Sequence, residues 1–239
     1  MRAHLLLLTR FSFLCGCRLC KRFLFAQLAD FAKLPVFMQN TMEMLTDAPP
    51  RDKKLKFFVD SDRLNAIVLP PDGALPRIAS AIETAMKAEA PGDVRSSCEE
   101  FLRAACDFYQ VPACSVRVLA ARPLRVRERS ATELFGDYHP GTKLIRVWMR
   151  TAVRKDVTSF GTFLSTLCHE LCHHLDFHKF AYGDSWHTRG FYQRTALLYH
   201  HSRCTPVKQL VWAQVARQRW RIDWPLTNRN NHLALSSLR

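Results

Sequence analysis

The sequence predicts an α+β domain, and three observations carry that prediction. Apolar residues recur at helical spacing in two long stretches, one ending near residue 109 and one beginning near residue 158. Between them lie two stretches in which apolar and polar residues alternate, as in strands with one buried face. No proline occurs between Pro140 and Pro206, which leaves room for long helices in the second half. The 239 residues suit one domain with extensions or two small domains, and an apolar share of 48% supports a core.

The elements follow in chain order. Residues 1–25 are apolar, basic and rich in cysteine, but Arg10 interrupts the apolar run and Arg18, Lys21 and Arg22 follow it. Three readings stay open, in this order: a start read too early, with Met38, Met42 or Met44 as the true start; an interfacial amphipathic segment; and a cleaved signal. Residues 46–76 are rich in proline and charge and read as linker. A helix is expected over Arg77–Glu89. A second is expected over Asp93–Tyr109, capped by Asp93, with Phe101, Leu102, Ala105 and Phe108 on its apolar face. Strands are expected at 114–121 and 143–150, the latter with Ile145, Val147 and Met149 on one side. Pro140-Gly141 before it suits the centre of a type II turn, with a first hairpin arm near Leu134–Tyr138.

From Thr158 to Phe180 the apolar residues Phe160, Phe163, Leu164, Leu167, Leu171 and Leu175 keep helical register. "YGDSW" (182–186) breaks that helix, with Gly183 suited to a C-cap and Asp184 or Ser185 to a new N-cap. Another helix is expected to run to about His201. The expected organisation is thus a poorly ordered extension and linker at 1–76, a domain at 77–203 and a basic tail at 204–239.

Nine cysteines at irregular spacing do not resemble a secreted disulfide framework and point to a reducing, cytoplasmic setting. Cys15, Cys17 and Cys20 lack a second cluster and are not read as a metal site. The formal net charge is +14. It is concentrated at about +7 over 115–155 and about +8 over 189–239, around an acidic 156–188. Such flanks suit an anionic partner such as DNA, or are simply solvated.

The chemistry lies in "CHELCHHLDFH" (168–178), with four histidines, one glutamate and two cysteines in eleven positions. His169-Glu170-Leu171-Cys172-His173 places two imidazoles at i and i+4 on one helical face, where they can meet one metal ion. At about 100° per residue these histidines lie opposite the Phe160/Leu164/Leu171 stripe. Glu170, beside them, can act as a general base on water that zinc acidifies. Glu170 is also the last glutamate in the chain, so no downstream Glu can be the third ligand. His187 is the best candidate, with Asp176 and Asp184 as weaker ones. His174, His178, His200 and His201 read as packing or surface residues. Tyr138, His139 and Tyr192 could orient substrate, although packing roles suit them better. The strand at 143–150 could receive an extended peptide by β-addition.

"FLSTLCHELCHHLD" followed by "DSWHTRGFYQR" resembles the SprT-like metallopeptidases, which include bacterial SprT proteins and the eukaryotic Spartan DNA–protein crosslink proteases. The resemblance covers roughly residues 94–201. In that family the third zinc ligand is a histidine followed closely by glycine and an aromatic, which here matches His187, Gly190 and Phe191. Many members carry a zinc ribbon of paired cysteines after the site; here Cys204 stands alone. The resemblance implies a minimal zincin-like domain, zinc held by His169, His173 and His187, Glu170 as catalytic base, and hydrolysis of peptide bonds, with DNA-associated proteins as possible substrates. Two other readings remain: a nucleic-acid-binding protein with a structural zinc, and a zinc hydrolase of a non-peptide substrate.

Overall fold

Helix α1 (Leu55–Arg63) lies inside the stretch expected to be linker. The computed structural model describes residues 44–127 and 130–236, which fall in one unit running from Glu43 to Arg239; residues 1–25, with their three readings, lie outside the described residues. A nine-residue helix is too short to show periodicity and too short to persist alone, so docking holds it. Arg189 pairs with Asp62, Ser61 and Thr188 share a hydroxyl hydrogen bond of 3.1 Å, and Arg194 donates to the carbonyl of Ser61 at 3.0 Å.

Helix α2 (Ala74–Lys87) buries Leu75, Ile78, Ala79, Ile82, Ala85 and Met86, the i, i+3, i+4 stripe of a helix with one dry face. Helix α3 (Pro91–Tyr109) begins earlier than expected. Pro91 occupies its first turn, where a missing N–H costs nothing, and Asp93 sits within that turn rather than capping it. Phe101, Leu102 and Ala105 are fully buried as the pattern required.

The strands form a mixed sheet in the order β1 (Ser115–Ala121), β5 (Leu144–Arg150), β4 (Gly136–His139). β1 and β5 run parallel, with Val116 opposite Ile145 and Val118 opposite Val147. β4 and β5 are antiparallel, with Gly136 opposite Val147. The strand proposed above to receive a peptide is therefore central, with both edges already paired; the sheet's outer strands are β1 and β4. The β4–β5 turn also differs from the expectation. His139 faces Leu144, and the positive φ falls on Lys143 (51°) rather than Gly141, as in a four-residue loop with a left-handed last residue. A separate hairpin, β2 (Leu124–Arg127) with β3 (Ser130–Glu133), pairs residue for residue, and its alternation was too short to register as strands.

Helix α4 (Phe160–His178) carries the histidine motif, and the Ser159 hydroxyl accepts from the Thr162 N–H at its start. It ends at Lys179, and the positive φ beyond it falls on Ala181 (53°) instead of Gly183. Helix α5 (Arg189–Ser202) is capped by Thr188, whose hydroxyl accepts from Phe191 N–H at 3.0 Å, so neither Asp184 nor Ser185 caps it. Gly190 is needed there: a Cβ would strike the carbonyls of Ser61, Leu64 and Asp62, where α1 crosses α5.

The tail after Cys204 is structured. β6 (Trp212–Val215) and β7 (Arg219–Ile222) form a hairpin, followed by α6 (Trp224–Ser236). Leu45 bridges to Arg221, and Thr46 N–H donates to the Trp220 carbonyl at 2.8 Å, so the start of the described chain lies along this hairpin. The core joins α2 and α3 to one face of the sheet and to α4, with Phe191 and Leu198 closing it from α5. No helix among the described residues is long and apolar enough to cross a membrane.

Candidate metal centre

On α4 the i, i+4 spacing stacks His169 above His173, and the loop between α4 and α5 returns His187 to them. His169 Nε2 lies 3.0 Å from His187 Nε2 and 3.2 Å from His173 Nε2. These separations approach the edge of a tetrahedron built on Zn–N bonds of about 2.0–2.1 Å, which is about 3.3 Å.

Hydrogen bonds on the far side of two rings assign their tautomers. Asp47 Oδ2 lies 3.3 Å from His187 Nδ1 and accepts the His187 backbone N–H at 2.8 Å. A carboxylate only accepts, so Nδ1 carries a proton, and in the neutral ring Nε2 keeps its lone pair. Ser185 Oγ donates to Asp176 Oδ2 at 2.8 Å and therefore accepts from His173 Nδ1 at 2.7 Å. Nε2 of His173 is again a lone pair. Burial, and then neighbouring histidines, hold His169 and His173 well below the usual imidazole range, so both rings are neutral. A neutral His169 carries one ring proton, so it can serve at most one of the Nε2 contacts at 3.0 and 3.2 Å and leaves the other as lone pair against lone pair. A cation at their centre resolves this, so the donor set fits a metal ion. The buried Nδ1 of His169 meets no hydrogen-bond partner. That ring is held by packing, edge-on to Phe191 at 4.9 Å and stacked on His187.

The supporting shell reaches further. Arg194 and Asp176 are almost wholly buried and paired at 2.7 Å. The order Arg194, Asp176, Ser185, His173 links α5 to the His173 ring through hydrogen bonds. Burial pushes the Asp47 carboxyl up, but its bonds to His187 outweigh this and leave it below the ordinary carboxylate value.

Glu170 is buried, 5% exposed, and burial together with the nearby Asp137 charge pushes its carboxyl up to about 8. It faces β4, where a Cβ on Gly136 would come 2.8 Å from Glu170 Oε1 and 2.5 Å from Thr166 Cγ2. The absence of a side chain at Gly136 is what lets the carboxyl lie against the strand.

Of the alternative ligands, Asp176 is spent on Arg194 and Ser185, and Asp184 pairs with Lys54 at 3.1 Å. His187 alone among the three candidates joins His169 and His173. Tyr138 turns its hydroxyl to His174 Nδ1 (2.9 Å) and His178 Nε2 (3.3 Å). Tyr192 stacks on His187 and donates to the Leu45 carbonyl at 3.3 Å, and His139 is exposed at the end of β4. Asp47, Ser185, Arg194 and Gly136 escaped the sequence reading. Asp47 lay in the presumed linker, and only the "D-S-W-H" proximity of Ser185 to His187 offered a signal. The histidine and cysteine groups of this fold could bind a metal ion. Compared with known proteins, the chain matches no family model, no curated protein and no solved structure.

Proposed function

We propose that the chain is a zinc-dependent metallopeptidase with a minimal zincin-like domain, similar to the SprT-like enzymes, and that it hydrolyses peptide bonds. The observation that carries this reading is the convergence of three imidazole Nε2 atoms beside a buried glutamate on the same helix. His169, His173 and His187 would hold the ion, which when bound supplies a Lewis acid that polarises a carbonyl and acidifies water. Three protein ligands and an adjacent carboxyl suit catalysis, whereas structural zinc sites are closed by four protein ligands. Glu170 takes a proton from the attacking water and returns it to the leaving amine. Its burial raises its proton affinity toward neutrality, where one group can both accept and release a proton. β4, at the edge of the sheet and packed against Glu170 through Gly136, is the strand on which an extended substrate would lie. The basic segments 115–155 and 189–239 favour substrates held on DNA.

The test is cleavage of an unstructured protein by the full chain, with and without DNA. Glu170→Gln should keep zinc and lose cleavage. If that variant cleaves as well as the wild type, the peptidase reading fails.

A further inference from the structure

A second cluster of metal-ligating side chains lies away from the histidine centre. It joins the last turns of α3, the residue before β1, and α4. Cys106 Sγ and Cys114 Sγ are 3.7 Å apart. Both sulfurs and a ring nitrogen of His174 lie within 4.8 Å of one another. Cys106 and His174 are buried and Cys114 is half-buried. His173 and His174 are consecutive on one helix and so leave it about 100° apart, which lets α4 serve two separate sites.

Geometry and charge both suit a zinc ion. Tetrahedral Zn–S bonds of about 2.3 Å place two sulfurs about 3.8 Å apart, close to the separation here. His174 Nε2 lies 2.8 Å from the Pro112 carbonyl and donates its proton to it, leaving the Nδ1 lone pair to serve as ligand. A metal-binding imidazole commonly gives its other N–H to a backbone carbonyl in this way. The Tyr138 hydroxyl donates to that Nδ1 at 2.9 Å, so an ion that takes the Nδ1 lone pair would displace this hydrogen bond and find the hydroxyl oxygen beside it as a fourth donor. Two thiolates and a neutral imidazole carry two negative charges, which balance a divalent cation, so the closed cluster can be buried without net charge. Thiolate and imidazole ligands select zinc over magnesium or calcium.

We propose that Cys106, Cys114 and His174, closed by the Tyr138 hydroxyl oxygen as fourth ligand, form a second, structural zinc site that ties the end of α3 and the start of β1 to helix α4. It does not depend on the peptidase reading, because none of its residues belongs to the histidine centre.

Cobalt(II) separates the two sites. The histidine centre has no sulfur ligand, so a thiolate-to-cobalt charge-transfer band in the near ultraviolet reports the second site alone. The full chain, purified under reducing conditions and loaded with cobalt(II), should show this band. His187→Ala should keep it, and the double variant Cys106→Ser, Cys114→Ser should lose it. Because the serine variant can fail to fold, the wild type supplies an independent measurement. Zinc should shield Cys106 and Cys114 from alkylation by iodoacetamide, and a chelator should abolish the shielding, as read by peptide mass mapping. The proposal is overturned if cobalt-loaded wild type shows no charge-transfer band, if zinc leaves the alkylation of both cysteines unchanged, or if the reduced preparation carries a Cys106–Cys114 disulfide.

Discussion

Asp47 and Glu170 show how much single side chains decide here. Asp47 holds His187 by its ring and by its backbone N–H. Partners of this kind tune metal affinity without binding the metal. Asp47→Ala should therefore weaken zinc by about 10–100-fold, whereas His169→Ala, His173→Ala and His187→Ala should each abolish stoichiometric binding. Competition against a chromophoric chelator measures all four, and wild-type affinity in Asp47→Ala would show that the carboxylate is idle. Glu170 makes a prediction about pH. Its folded carboxyl is raised from an ordinary 4.5 to about 8, so between those values the folded state keeps a proton that the unfolded chain has lost. Glu170 therefore costs the metal-free protein stability as pH rises through that window. Glu170→Gln removes the titration. In chelator-treated protein, its denaturation midpoint relative to wild type should climb from pH 4.5 to pH 8, and a constant difference would mean that Glu170 ionises normally.

At the scale of elements, one close approach and one buried ion pair set the site. β4 lies against α4 because Gly136 has no side chain. Gly136→Ala should displace Glu170, destabilise the fold by about 1–3 kcal/mol through overpacking, and abolish the proposed cleavage while zinc remains bound. Retained zinc with full peptidase activity would separate Glu170's position from this strand. α5 is anchored by Arg194, which pairs with Asp176 and donates to α1 through the Ser61 carbonyl. Arg194→Met would leave the Asp176 carboxyl buried without its cation and should cost about 3–5 kcal/mol. Adding Asp176→Asn should recover part of that loss, and equal stability of the single and double variants in urea would contradict the pairing argument. The motif helix itself is buried nearly all round, because the sheet covers one side and α5 the other.

For the whole molecule, the boundaries of the working unit follow from contacts rather than from the motif. Residues 94–201 contain every proposed ligand but neither Asp47 nor α1 nor the β6–β7 hairpin. Deleting residues 1–37 should leave zinc affinity unchanged. Extending the deletion past Asp47 should lower it, because Thr46 and Asp47 join the hairpin to the His187 loop. Isothermal titration on the two truncations decides between these outcomes. The basic flanks carry a separate prediction. If they hold DNA through phosphates, affinity should fall steeply with salt and show little sequence preference. A flat salt series in fluorescence anisotropy would leave the positive charge as solvated surface.

Long periodic segments could be read directly from the residues. α3, α4 and the strand around Val147 lie close to where their patterns placed them, because burial of one face at a fixed period is a local property of sequence. The i, i+4 histidines and the buried glutamate belong to the same class, since a helix alone sets their spacing. His187 could be named as the best of three candidates, with Asp176 and Asp184 still open, but its approach to His169 depends on the turn between two helices. The linker at 46–76 and the basic tail were misjudged for a related reason. α1, the β6–β7 hairpin and the bridge at Leu45 are too short to announce themselves, and they are held by contacts to distant parts of the chain. Asp47, Ser185 and Gly136 reach the site in the same way. What each does follows from which ring or carboxyl the folded chain brings to it, and no spacing along the sequence records that.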